Sequence, residues 1–247
     1  MSAPPVAVTF DFWNTLIRED SQARDRRVDA WLGLLEGEGV ALEREHVGRA
    51  FTASWKTFQE HWMANRVYGP SDAVADVLSH LGLTPPAGVH DALVEVLTDP
   101  SAEHDPLPTD SIDVCLAQLK SAGVRLGIIC DVGLTPSRTL RRYLEGHGLL
   151  RYFDHWSFSD EVGTFKPDPA IFRHAHAGLG VDDPTRSAHV GDLRRTDIAG
   201  AQALGIIAVR YSGVFDDPGS SADGTDQVQA DHVLADHAEL PAALGVS

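Results

Sequence analysis

Near the start of the chain, in VTFDFWNTL (8–16), Asp11 follows an apolar run that then breaks at Asn14-Thr15, so one carboxylate is presented to a ligand. Three more places have the same form. Cys130-Asp131 closes the run VRLGIIC (124–130), Asp192 follows SAHVG (187–191) with Asp197 five residues on, and Lys166 lies in FKPDP just before a helical pattern at 168–178. Ligands of open α/β sheets sit outside the carboxyl ends of the strands, which is where these acids and this ammonium would gather. Singly, each acid is as well explained as a turn or helix-cap residue, the Asp192–Asp197 pair as the cap of a helix beginning near Arg194 or Thr196, and Lys166 as an exposed loop residue. Four such places in this order favour a shared site.

The elements that must position them follow from the apolar pattern. VAVTF (6–10), VRLGIIC, SAHVG and IIAVRY (206–211) read as buried strands, each followed by a turn and a helical pattern. Strands alternating with helices predict an α/β fold with a doubly wound, Rossmann-like parallel sheet. Residues 18–104 differ. Apolar residues recur there at helical spacing, in Val28, Trp31, Leu32 and Leu35 and again in Val47, Phe51, Trp55, Phe58 and Trp62, with punctuation at Gly69-Pro70 and Pro85-Pro86. This predicts an all-helical domain inserted into a core of residues 1–17 and 105–247. A helix at about 110–122 returns the chain to the core; the polar stretch DDPGSSADGTDQVQA (216–230) reads as a mobile, solvated loop before a last short strand, HVLA.

The 247 residues, 43% of them hydrophobic, suffice for a sizeable core plus an insertion. Net charge is −16 with no basic block, which argues against a nucleic-acid partner. A phosphorylated small molecule is still compatible with that charge, because a bound divalent ion can reverse the local field. Two cysteines without CxxC spacing give neither a disulfide framework nor a thiolate zinc site and suit a reducing cytoplasm. No leader pattern and no apolar stretch of about 18 residues stands out, so the expectation is a soluble cytoplasmic protein without a membrane partner. A homodimer is left open.

At this point the sequence resembles the haloacid dehalogenase (HAD) superfamily over nearly its whole length: DFWNTL is similar to the first motif, IICDVG to the second, FKPDP to the third and GDLRRTD to the fourth. The helical segment resembles that family's inserted cap. The resemblance implies that Asp11 is a nucleophile forming an aspartyl phosphate, which splits a hard displacement into two easier steps. It implies Mg²⁺ held by Asp11, the main-chain carbonyl of Trp13 and Asp192, with Asp197 either ligating directly or orienting a water. Lys166 would neutralise the nucleophile and the phosphoryl oxygens. Thr15 and the backbone N–H of Asp131 would contact the phosphate.

Two positions depart from the family pattern. Cys130 stands where the second motif offers a hydroxyl, and a thiol is a weaker donor; the alternative for Cys130 is a small buried residue ending a strand. Trp13 stands where the family commonly has a general acid, a group that contributes roughly 10²–10⁴-fold. Dehalogenases of the superfamily often carry an aromatic residue there and generally lack the fourth-motif acids that this chain retains. The favoured reading is therefore a Mg²⁺-dependent phosphohydrolase acting on a small phosphorylated metabolite, with unusual proton handling in which His61 is one candidate acid. A 2-haloacid dehalogenase and a non-catalytic binding module are the alternatives. Trp55, Phe58, Trp62, Arg66 and Tyr68 either meet the substrate or belong to the core stripe of their own domain.

Overall fold

The apolar runs pair into one parallel sheet because each is buried on both faces, where main-chain groups must find partners in neighbouring strands. The computed structural model describes residues 3–18, 22–85, 88–99 and 105–246. Its first elements are β1 (Ala7–Phe10), α1 (Ala23–Gly37), α2 (Arg44–Met63), α3 (Pro70–Leu81) and α4 (Val89–Thr98). Next come α5 (Ile112–Ser121), β2 (Arg125–Cys130), α6 (Ser137–Gly146), β3 (His155–Phe158), α7 (Ser159–Val162) and α8 (Pro169–Leu179). The chain finishes with β4 (Ser187–Gly191), α9 (Ala199–Gln202), β5 (Ile207–Tyr211), β6 (His232–Leu234) and α10 (Leu240–Ala243). The strands lie in the order β3-β2-β1-β4-β5-β6, all parallel. The α/β fold class expected from the sequence is the observed one.

The chain divides into two compact units. One comprises Met1–Glu19, Pro106–Val132 and Arg141–Ser247, and the other Asp20–Asp105 with Gly133–Leu140. The second unit thus takes in residues 133–140, beyond the boundaries drawn from the sequence. Residues 19–21 and 100–104, where the expected insertion begins and ends, and Pro86 lie outside the described residues.

The first unit is the sheet and its covering helices. Every residue of β1 and β4 is buried, and in β2 only Arg125 is partly exposed. Ile129, Ile171, Phe172, Ala175, Ile198 and Ala208 pack together on one face. β3, with the sequence HWSF, carries no strand signal in the sequence, because its first two residues are only half-buried and the run lacks an apolar pattern. The 216–230 segment is also more engaged than its composition predicts: Arg194 donates through its backbone N–H to Asp217 Oδ2 (2.7 Å), through Nε to Asp217 O (2.8 Å) and through a guanidinium N–H to Val228 O (2.6 Å).

The second unit is helical. Trp31, Leu35, Val47, Phe51, Val74, Val77, Leu93 and Leu97 form its core, as the helical spacing requires. Trp31 is fully buried, meets Phe51 edge-on with centroids 4.8 Å apart, and donates its indole N–H to Leu93 O at 3.2 Å. α3 starts where Pro70 supplies a ready-made first helical residue and Asp72 accepts from the Gly69 N–H at 2.8 Å; it stops at Gly82, whose φ of 67° is left-handed. No helix among the described residues is long and apolar enough to cross a membrane.

Candidate active site

Register places the acids together. Phe10 pairs with Ile128 on one side and Val190 on the other, so Asp11, Asp131 and Asp192 leave the carboxyl ends of three adjacent strands. The chain passes from β1 to β2 on one flank and returns to β4 on the other, which opens the crevice of a topological switch point. Asp11 is tied to that edge by its N–H, which donates to Val190 O at 2.8 Å.

The turn after Asp11 is braced from afar. Leu16 and Ile17 donate their N–H groups to Phe12 O at 2.9 and 3.0 Å, and Asn14 takes the left-handed φ of 55° that this residue type tolerates. Thr15 O accepts from the Thr109 hydroxyl at 2.7 Å and from His237 Nε2 at 2.8 Å. The Thr15 hydroxyl is buried and makes no hydrogen bond among the described residues, so it remains a candidate for a ligand contact. Trp13 is half-buried, edge-on to Phe12 at 5.2 Å and to Tyr143 at 6.4 Å.

Lys166 is 2% exposed, which removes the reading of an exposed loop lysine. Its ammonium donates to Asp11 Oδ1, and to Asp197 Oδ1 at 2.6 Å. Its backbone N–H donates to Asp131 Oδ1 at 2.9 Å, so Asp131 acts on the lysine loop through its side chain.

Asp197 lies in a π-type turn, Arg194–Ile198, rather than capping a regular helix. Besides Lys166, its carboxylate accepts from His189 Nε2 at 3.0 Å, the Leu193 N–H at 3.0 Å and the Thr196 hydroxyl at 3.3 Å. Gly191 leaves room for this: a Cβ there would stand 2.3 Å from Asp197 Cγ. His189, in the middle of β4, also meets the Thr9 hydroxyl through Nδ1 at 2.9 Å.

Carboxylate oxygens of Asp11, Asp192 and Asp197 all lie within 4.8 Å of one another, and all three residues are buried. Burial, opposed by Lys166 and reinforced by Asp197, raises the Asp11 carboxyl to about 7. Burial and the two neighbouring acids push Asp192 well above the carboxylate range. For Asp197, burial is outweighed by Lys166 and His189, which hold it below its ordinary value. One ammonium thus serves two of the three acids, and among the described residues Asp192 forms no ion pair. A hard divalent cation fits that donor set: all-oxygen, anionic and short of positive charge.

Other sequence candidates fall outside this cluster or play quieter parts. Cys130 ends β2 fully buried, and burial together with the Asp11 charge pushes its thiol well above the usual range, so it stays protonated. His61 turns Nδ1 to Val67 O at 3.2 Å inside its own helical unit, with its ring beside Tyr68 at 5.1 Å. Within that unit Trp55 stacks on Phe58 at 4.9 Å. His189, Thr9, Thr109 and His237 join the site without a motif to mark them; in the sequence the one signal is a polar Thr9 and His189 inside otherwise apolar strands.

Strand-end carboxylates thus gather around a buried lysine at the carboxyl edge of a doubly wound parallel sheet, the place where α/β folds of this kind carry their ligand sites. The chain belongs to the haloacid dehalogenase-like hydrolase family, which matches residues 6–205. It is 29% identical over 249 residues to haloacid dehalogenase-like hydrolase domain-containing protein 3 of Mus musculus, covering 96% of this chain and 92% of that one. It is 30% identical over 212 residues to glyceraldehyde 3-phosphate phosphatase of Methanothermobacter thermautotrophicus, covering 82% and 84%. Its fold is shared with 2-haloacid dehalogenase from Pseudomonas syringae pv. tomato at a TM-score of 0.69 and 24% identity, over 97% of each chain.

Proposed function

We propose that this chain is a Mg²⁺-dependent phosphohydrolase that cleaves a small phosphorylated metabolite through an aspartyl phosphate on Asp11. The observation that carries this reading is Asp192, a buried acid beside Asp11 and Asp197 for which Lys166 leaves no counter-charge. Asp11, Asp192 and the Trp13 carbonyl would hold the ion, which supplies charge neutralisation for the phosphoryl oxygens when bound. Asp197, with four donors already on its carboxylate, is read as the residue that fixes Lys166 rather than as a direct ligand.

In the reaction, an Asp11 carboxylate oxygen bonds to phosphorus as the ester P–O bond breaks, and the leaving oxygen departs with the bonding pair and takes its proton from solvent water. Water then attacks the acyl phosphate, inorganic phosphate departs and the Asp11 carboxylate is restored. Lys166 holds its ammonium at the nucleophile, where negative charge is carried throughout. Trp13 offers no acid, so leaving groups that depart without protonation suit the site best. The helical unit is read as the cap that selects the substrate.

A panel of phosphorylated metabolites, assayed with MgCl₂ and with chelator, tests this. Turnover should need the ion and vanish in Asp11→Asn; turnover that ignores chelator or survives Asp11→Asn overturns the reading. The aromatic Trp13 favours dehalogenation as the second reading, and metal-independent halide release from a short 2-haloacid would establish it.

A further inference from the structure

Thr9 and His189 are register partners on β1 and β4, and both are fully buried. They are polar residues in the two strands that present Asp11 and Asp192. His189 Nε2 lies 3.0 Å from Asp197 Oδ1, and Nδ1 lies 2.9 Å from the Thr9 hydroxyl. An ionised carboxylate only accepts, so Nε2 must carry a proton. Asp197 Oδ1 already receives the Lys166 ammonium at 2.6 Å, and a neutral ring avoids placing a second cation on that oxygen. The Asp197 carboxylate thereby sets the tautomer; Nδ1 is then bare and accepts the Thr9 O–H at 2.9 Å, closer than the hydroxyl's other acceptor, Ala188 O at 3.3 Å, and this second contact fixes the ring plane.

The result is one unbroken chain of donors: Thr9 to His189, His189 to Asp197, with Lys166 joining Asp197 to Asp11. Phe172 meets the imidazole edge-on with centroids 5.2 Å apart, closing its other side. Asp197 is carried by a short turn after β4. The other two contacts, from Leu193 and Thr196, are local to that turn. Among the described residues, only His189 anchors Asp197 to the sheet itself.

We propose that His189 is a positioning residue: its Nε2–H fixes the Asp197 carboxylate, which in turn holds the Lys166 ammonium against Asp11. The proposal rests on the phosphohydrolase reading for its kinetic consequence but not for its geometry, so the two can fail separately.

The test compares His189→Gln, whose amide N–H can replace Nε2–H, with His189→Leu, which cannot donate. Steady-state turnover of p-nitrophenyl phosphate with MgCl₂ should fall about 10–100-fold in kcat for His189→Leu, with KM within about threefold, and His189→Gln should recover most of the loss. Thermal melting of both variants separates this from misfolding: equal kcat losses that track Tm overturn the proposal, as does an unchanged kcat in His189→Leu. A ¹H–¹⁵N spectrum of the wild-type imidazoles gives a readout independent of turnover. The Nε2–H tautomer at His189, with its proton signal displaced in Asp197→Asn, supports the assignment; an Nδ1–H tautomer overturns it. Should the wild type fail to turn over any phosphate ester, the phosphohydrolase reading falls and the tautomer decides the positioning claim alone.

Discussion

The Lys166 ammonium joins Asp11 to Asp197 across the crevice at the carboxyl edge of the sheet, with the Asp197 contact at 2.6 Å. These two acids come from the loops after β1 and β4, so a single side chain ties together both flanks of the switch point. Replacing Lys166 by Met leaves two buried carboxylates facing each other without a cation. The kcat of Lys166→Met should fall by about 10²–10³, the scale of losing one preorganised stabilising group. In metal-free protein at neutral pH the change should cost about 3 kcal/mol, because breaking a buried pair strands a charge. Urea midpoints and steady-state kinetics check both numbers; an unchanged kcat would remove Lys166 from the site.

Gly191→Ala tests how tightly Asp197 is seated. The added Cβ would meet Asp197 Cγ at 2.3 Å, far inside contact distance, so the carboxylate must move and the Lys166 and His189 contacts with it. Activity should drop at least as far as in Asp197→Asn, with a loss of stability of about 1–3 kcal/mol from overpacking. Wild-type activity in Gly191→Ala would show that Asp197 can shift without consequence.

Much of this arrangement is legible in the sequence, for a physical reason. A parallel sheet buried on both faces writes itself as apolar runs, and the residue that ends each run lands at the ligand edge; β1, β2, β4 and β5 are plain for that cause. β3 is not, since His155 and Trp156 are half-exposed and Ser157 interrupts the pattern. His189 and His237 act through contacts with Thr9 and Thr15, 180 and 222 positions away, separations no local spacing encodes. Arg194, a surface charge by composition, turns out to clasp the Asp217 and Val228 carbonyls.

The acid cluster gives a pH signature. Burial raises Asp11 from its ordinary value near 4 to about 7, and Asp192 moves the same way. Between those pH values the unfolded chain releases the Asp11 proton before the folded chain does, so this carboxyl subtracts stability as pH rises. A divalent cation should offset that loss. The Tm increase produced by MgCl₂ over chelator should therefore be larger at pH 7.5 than at pH 5; an equal or reversed effect would separate the ion from these acids.

His237 works in the other direction. Burial lowers it to about 4, so as pH falls from about 6.5 to 4 the unfolded chain takes up a proton that the folded chain refuses. Roughly 3 kcal/mol of stability should fade across that window from this residue. His237→Gln keeps a donor for Thr15 O without the titration. Its Tm-versus-pH curve should flatten there relative to wild type, and parallel curves would contradict the assignment.

Trp13 predicts leaving-group dependence. Without an acid beside the scissile oxygen, aryl and acyl phosphates should be cleaved much faster than alkyl ones, and Trp13→Asp should narrow the gap through its alkyl rates. Comparable wild-type rates for the two classes would mean that another side chain delivers the proton.

The carbonyl of Thr15 is gripped by Thr109 and by His237, so the loop that shapes the nucleophile takes its final form only when segments far downstream have arrived. During synthesis every reactive side chain, through Asp197, would leave the ribosome some forty residues ahead of that imidazole. A nascent chain that has released those groups still lacks the donor that His237 gives to the nucleophile's turn.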